Sequence, residues 1–301
     1  MRKVTMSIST GLFLLLPGLL AIPSFPIGVG SGEVPWVELP PLDDYAEHGL
    51  PDFDQRQDDG WGSNLWGYTW CGVVAAADIL WYLDSQHECG FYGDGVNLWN
   101  LVPKNYVWYE GRYPTSIVFH DDHLESVPHA LIECLADSCG TDTWGRLYGL
   151  AGNTGDSLKL GLHDWIESHG LSWYYDVDHV VKPTFSEIMT AVQKGWGIIV
   201  LGEGLCPILQ MITPHWVAIQ GYRFSPKQLL ISDPFWDGCP NIADEPAEHN
   251  DAQCVVHETR DVVELSSHWK ANCKLQSMLW DRNDKEFVDG YLTHAIIIKP
   301  K

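Results

Sequence analysis

Basic side chains are scarce in this chain of 301 residues, in which 18 Lys and Arg stand against 40 Asp and Glu. The resulting formal charge of −22 would be repelled by phosphate backbones and by anionic lipid headgroups. The sequence also lacks a phosphate-binding glycine loop, an Asn-X-Ser/Thr sequon and the paired CxxC units of a structural zinc site. We therefore expect no nucleic-acid partner, no organic cofactor and no structural zinc.

Charged side chains are also missing near the N-terminus, where none occurs between Lys3 and Glu33. The stretch Gly11–Ile22 is mostly Leu, Phe and Ile, but a Pro-Gly pair interrupts it, whereas a spanning helix needs about 20 apolar residues in a row. A basic start and a short apolar segment are typical of a secretory signal peptide, which we place at residues 1–30. The protein is then secreted or extracytoplasmic, with no stable membrane partner after cleavage; an uncleaved N-terminal anchor is the alternative.

No Gly/Ser linker, charge block or internal repeat divides the rest of the chain. Residues 31–50 include a Pro-rich stretch and are expected to form an extended lead-in. Residues 51–301 are long enough to bury a substantial core as one domain. We expect this domain to be a monomer.

Eight cysteines in an exported chain predict some disulfides. The pairs Cys134 with Cys139 and Cys239 with Cys254 are close in sequence, but spacing alone leaves the connectivity open. If Cys71 is a free thiol, at least one of the other seven cysteines cannot be paired within the chain.

Local sequence signals favour helices early in the domain and strands later. Apolar spacing and capping residues predict four helices, which begin near Cys71, Ser126, Asp156 and Thr184. Short β-prone runs predict four strands at residues 198–201, 215–222, 229–233 and 294–298. This order indicates an α+β domain with N-terminal helices packed on a C-terminal antiparallel β-sheet.

One thiol lies at the start of an apolar helix, because Cys71 opens the run Cys71–Leu83. A helix N-terminus presents unsatisfied N–H groups and a partial positive charge, which stabilise a thiolate and bind an oxyanion. Cys71 is therefore the candidate nucleophile. The alternative is a small buried core residue, which is the commoner role of a cysteine in an apolar helix.

A cysteine nucleophile needs a histidine to share its proton and a third group to orient the imidazole. His215 begins one predicted strand and Asp233 ends the next, with a hairpin turn predicted at Ser225-Pro226-Lys227. Two strands joined in this way bring the two side chains together, so that the carboxylate can hold the ring in one tautomer. Alone, His215 would be an ordinary strand histidine and Asp233 an ordinary turn residue. The hypothesis of a catalytic pair therefore depends on their joint spacing.

Together these segments resemble the C39-like peptidases, which have the papain-like cysteine peptidase fold. The resemblance rests on the Cys-Gly pair that heads an Ala-rich helix, on His215–Tyr222 and on Ser232-Asp233-Pro234, and it covers most of residues 51–235. It implies cleavage of peptide bonds in a peptide or protein substrate. Cys71, His215 and Asp233 would be nucleophile, base and orienting carboxylate.

The sequence departs from the papain-like pattern just before the nucleophile. Such enzymes usually carry a Gln there whose amide binds the oxyanion, and none of the six residues before Cys71 is Gln. Loss of one such donor typically lowers the rate about 100- to 1000-fold. Asn64 and Gln57 are the candidate replacements.

A second cluster contains possible metal ligands, namely His120, Asp122 and His123. Their spacing fits neither HExxH nor a fixed helical pattern, and a mixed charged loop in an acidic protein is usually solvated. We therefore expect no metal. The alternative is a metal site formed by these three residues.

Two functions are consistent with the sequence. The first is a secreted cysteine peptidase that uses a Cys-His-Asp triad. The alternative is a non-catalytic exported binding or structural protein on a papain-like fold, motivated by the missing Gln and the 15 Trp residues. The alternative predicts a buried or disulfide-bonded Cys71.

Overall fold

The computed structural model describes residues 34–42, 49–53, 70–87, 101–102, 127–141, 153–206, 211–234, 258–266, 271–280 and 287–301. These residues belong to one compact unit, Val34–Lys301. The signal peptide predicted at residues 1–30 lies outside the described residues, so it stays a prediction. Within the described ranges, no helix is both long enough and apolar enough to cross a membrane.

The helices predicted from sequence are confirmed. They are α1 Cys71–Ser85, α2 Val127–Ser138, α3 Gly155–Ser168 and α4 Phe185–Gln193. The side chain of Thr154 caps α3 by accepting a hydrogen bond from Ser157 N. Thr184 and Glu187 form a reciprocal capping box at the start of α4, as their spacing predicts.

The strands form a single antiparallel sheet. They are β1 Val37–Glu38, β2 Tyr175–Val181, β3 Gly197–Cys206, β4 Met211–Arg223, β5 Gln228–Ser232, β6 Glu258–Ser266, β7 Ala271–Trp280 and β8 Phe287–Pro300. The predicted runs lie in β3, β4, β5 and β8. Strand β2 was not predicted, because Asp176, Asp178 and His179 interrupt its apolar pattern.

The sheet closes on itself through β4. The strand order is β1-β4-β3-β8-β7-β6-β5, and β5 pairs back onto β4, while β2 pairs with β8. Both β3 and β5 pair with Ala218, opposite Ile199 on one side and Ser232 on the other, so they lie on opposite edges of β4. The β4–β5 ladder begins at this Ala218–Ser232 pair. Strand β4 therefore holds β3 on one edge and β5 on the other.

Apolar side chains fill both faces of this sheet. On one face Leu201 and Trp216 pack into a cluster with α1. On the other face their neighbours Val200 and Val217 pack into a cluster with α4. Every residue of α1 is buried, since this helix also contacts α2 and α3. The α+β class is confirmed, although α4 follows β2 and covers the opposite face, so the helices are not all N-terminal.

One of the two disulfides suggested by proximity in sequence, Cys134 with Cys139, is not formed. Cys139 is a buried free thiol and does not pair with Cys134. Cys134 lies in α2 and Cys139 directly follows it, and five residues of helical rotation turn a side chain by about 140°, so the two thiols point in different directions. Cys139 instead packs against Gly161 of α3. The other pair, Cys239 and Cys254, lies outside the described residues.

Substitution of Gly161 with alanine is expected to destabilise the protein by about 1–3 kcal/mol, the usual cost of overpacking a core. A Cβ at this position would lie 2.4 Å from Cα and 2.8 Å from the backbone N of Cys139, so backbone would have to move. Chemical denaturation measures the change. Lys159→Ala, at an exposed position on the same helix, is the control and should change the stability little. A Gly161→Ala protein as stable as the wild type would contradict this close packing of α2 and α3.

Candidate active site

Cys71 is the first residue of α1, and its thiol meets the edge of β4. The backbone N–H of Trp216 donates a hydrogen bond to Cys71 Sγ over 3.5 Å. The N-cap residue, Trp70, makes no side-chain cap hydrogen bond, and the first turn of α1 contains no acidic residue. The positive end of the helix dipole therefore acts on Sγ without a carboxylate from its own first turn to offset it.

His215 and Asp233 form a buried pair, but not at the strand ends predicted from sequence, since His215 lies inside β4 and Asp233 directly follows β5. His215 Nε2 lies 2.6 Å from Asp233 Oδ1, and the two side chains are 8% and 1% exposed. The carboxylate accepts the Nε2–H, so Nδ1 is the ring nitrogen left for the Cys71 thiol, with which His215 also interacts. The structure thus brings together the three residues predicted from sequence.

The charge state of His215 is set by opposing effects. Burial by itself lowers the pKa of the ring. The charge of Asp233 and its hydrogen bond outweigh burial, and Cys71 adds a hydrogen bond and its own charge, so the pKa of His215 is raised to about 10. The ring is therefore an imidazolium at neutral pH. An imidazolium beside a candidate nucleophile can serve as a general acid.

A second layer of buried polar groups supports this arrangement. Trp216 Nε1 donates to the carbonyl oxygen of Asn153 over 2.9 Å. The amide of Asn153 donates to Cys139 O and accepts from Thr141 Oγ1, so it is already engaged on both ends. A Cβ on Gly72 would lie 3.1 Å from both Asn153 Oδ1 and Trp216 Cδ1, so a glycine after Cys71 favours this close packing.

Sequence reasoning missed Asn153. Its only sequence signal is its place just before the Thr154 cap of α3, which predicts the helix start and nothing about the thiol. Because both ends of its amide are engaged, Asn153 is not a free oxyanion donor.

Several candidates from the sequence lie outside the described residues. These are the oxyanion candidates Gln57 and Asn64 and the metal candidates His120, Asp122 and His123. Among the described residues, one group has metal-ligand geometry, formed by the exposed side chains of His163, Asp164 and Glu167 on α3. Exposed acidic groups of this kind are common without an ion, so this group is a solvated helix face.

Comparisons with known proteins identify no family. No protein-family model and no curated protein matches this chain. A solved structure of active wild-type interpain A, a cysteine protease of Prevotella intermedia, is similar over 83% of this chain and 93% of that chain, with a TM-score of 0.41 and 13% identity. At these values the likeness does not establish a shared fold or activity. The C39-like assignment stays a prediction based on sequence motifs.

Proposed function

We propose that this protein is a thiol-dependent hydrolase that cleaves peptide bonds, with Cys71, His215 and Asp233 as its catalytic residues. The observation that supports this most strongly is the convergence of the three side chains, which lie at the start of α1, on β4 and directly after β5. A histidine paired with a carboxylate is an ordinary structural feature by itself. Cys71 is buried, as the non-catalytic alternative also predicts, but its thiol is free and lies at a helix N-terminus against the same imidazole, which favours nucleophilic catalysis.

In the proposed reaction, the Cys71 thiolate attacks the carbonyl carbon of the scissile bond. The helix N-terminus stabilises the negative charge that develops on the carbonyl oxygen. The imidazolium of His215 then donates the Nδ1 proton to the leaving amine, and an acyl-thioester remains on Cys71. The neutral ring next removes a proton from water, which attacks the thioester and releases the acid. Asp233 keeps the ring in one tautomer and orientation throughout.

Secretion is part of the same proposal. Its support is the basic and apolar N-terminal pattern, which predicts removal of residues 1–30 during export. N-terminal sequencing of protein recovered outside the cytoplasm tests it. An intact residue 1 would contradict cleavage and favour the anchor.

A thiol-directed alkylating reagent at neutral pH, followed by peptide mapping, tests the nucleophile. We expect Cys71 to react at least about ten times faster than Cys139, since the thiolate is the reactive form. Cys139 is a matched control because the two residues are 4% and 2% exposed, and burial raises the pKa of Cys139 to about 12. Equal rates would argue for the non-catalytic alternative, as would a disulfide at Cys71 in the purified protein.

A further inference from the structure

Two carboxyl groups and one hydroxyl meet behind the catalytic residues. Ser232 Oγ lies 2.7 Å from Asp52 Oδ1 and 3.2 Å from Asp78 Oδ2. All three side chains are fully buried. The backbone N–H of Phe53 donates to the other oxygen of Asp78, Oδ1, over 3.1 Å.

A count of protons shows which groups donate. A serine hydroxyl carries one hydrogen and can donate to only one of the two carboxyl groups, and we place that donation on the shorter contact, to Asp52. With the hydroxyl hydrogen directed to Asp52, the second contact is a hydrogen bond when Asp78 carries a proton on Oδ2 and donates it to Ser232 Oγ. In that form Asp78 Oδ1 is a carbonyl oxygen, which suits its acceptance of the Phe53 N–H.

The surroundings of Asp78 support the same protonation state. Burial raises the pKa of Asp78 well above its usual value, and the hydrogen bond that the Phe53 N–H donates offsets only part of this effect. The resulting chain of hydrogen bonds runs from the Asp78 acid through the Ser232 hydroxyl to the Asp52 carboxylate. It places one negative charge at this junction instead of two.

Asp78 and Ser232 belong to the two elements whose spacing determines the site. Asp78 follows Cys71 by seven residues, or about two turns, so both lie on the same side of α1. Ser232 directly precedes Asp233 at the end of β5. A hydrogen bond between Asp78 and Ser232 therefore ties the helix of the nucleophile to the strand of the orienting carboxylate.

The segment that carries Asp52 is itself anchored to β4. Gln220 accepts a hydrogen bond from Leu50 N over 2.8 Å and donates one to Leu39 O over 3.0 Å. Gly49 has a φ of +87°, and a Cβ there would lie 2.3 Å from Gln220 Nε2. This contact requires glycine and holds Asp52 where Ser232 can reach it.

We propose that Asp78 is a positioning residue, held as a neutral acid, which fixes the distance between Cys71 and Asp233 through Ser232 and Asp52. This inference rests on the proposed function for its catalytic consequence, while the proton on Asp78 is a property of the fold itself. The hydrogen bonds that Asp78 makes with Ser232 and Phe53 do not reach the thiol or the imidazole. Its effect on the reaction is indirect.

Three variants of the full protein test the proposal. Asp78→Asn keeps a donor toward Ser232 and an acceptor for Phe53, so it is expected to keep the wild-type kcat and the wild-type rate of Cys71 alkylation. Asp78→Ala and Ser232→Ala break the chain of hydrogen bonds. Each is expected to lower kcat about 100-fold with KM unchanged, since a misplacement near 1 Å costs about that much. Asp176→Asn, an exposed carboxylate on β2, controls for the loss of an acidic side chain.

Infrared spectroscopy detects the proton on Asp78 and needs no catalytic turnover. The difference spectrum between the wild type and Asp78→Asn at neutral pH should contain the carbonyl stretch of a protonated carboxylic acid. Absence of this band would overturn the proposal, as would Asp78→Asn being as damaged as Asp78→Ala. If Ser232→Ala does not fold, the other variants and the spectrum still decide. A wild type that cleaves no peptide contradicts the proposed function alone, and the spectrum and the alkylation rates then test Asp78.

Discussion

Replacement of Cys71 with alanine is expected to lower kcat for peptide hydrolysis about a million-fold, the loss seen when a nucleophile is removed from a catalytic triad. Without Sγ no acyl-thioester forms, and the imidazolium of His215 has no thiolate to assist. The loss should fall on kcat, because the substrate still binds the same surface. Mass spectrometry of a peptide library incubated with each protein measures it.

The control for this experiment is Cys139→Ala, which also removes one buried free thiol. That variant should retain activity, because the hydrogen bond that Asn153 makes there is to the backbone oxygen of Cys139. Equal hydrolysis by the wild type and by Cys71→Ala would rule out the proposed nucleophile. Equal loss in the two thiol variants would show that damage to the core, not chemistry at Sγ, stopped the reaction.

Substitution of Asp233 with asparagine is expected to lower kcat about 10,000-fold, because an amide no longer selects the catalytic tautomer of the imidazole. The variant should also shift the pH dependence. Leaving-group protonation needs the imidazolium, so wild-type activity is lost as the pH rises through about 10. Without the charge and hydrogen bond of Asp233, burial lowers the pKa of His215, and the alkaline limb of the rate profile moves to lower pH. Steady-state rates across pH measure both effects.

Unfolding experiments give an independent check on this pair. The pKa of His215 is raised in the folded state, so its stabilising effect is fully present below pH 6.5 and is lost as the pH rises to about 10. The stability difference between the wild type and Asp233→Asn should therefore shrink over that range. Asp176→Asn, on the exposed side of β2, should show no such trend. A constant difference for Asp233→Asn would contradict the coupling of the two side chains.

Local signals in the sequence were sufficient for the elements that carry the site. The capping residues Thr154 and Thr184 mark the starts of α3 and α4, because caps act within one helical turn. The proximity of His215 to Asp233 also follows from local information, since a short turn joins β4 to β5.

Other features depend on contacts between distant parts of the chain. The ring of strands closes through β6 and β7, which no local pattern predicted, and their pairing links β5 to β8. Asn153 reaches the site through its hydrogen bond with Trp216, which is 63 residues away in sequence but adjacent in space. Asp78 was also missed, although a carboxyl group inside the apolar run of α1 is a local signal of a buried acid that could have found it.

The early end of β5 has a consequence for how such a site can arise or be lost. Pairing with β4 begins at Ala218, and two residues earlier the Trp216 N–H serves sulfur instead of a neighbouring strand. A longer β5 would compete for that N–H and would occupy the edge where α1 now docks. Extension of β5 by one hydrogen-bonded pair would therefore separate the Cys71 thiol from the Trp216 N–H. The proposed activity thus depends on the length of β5 as well as on the identity of the three side chains.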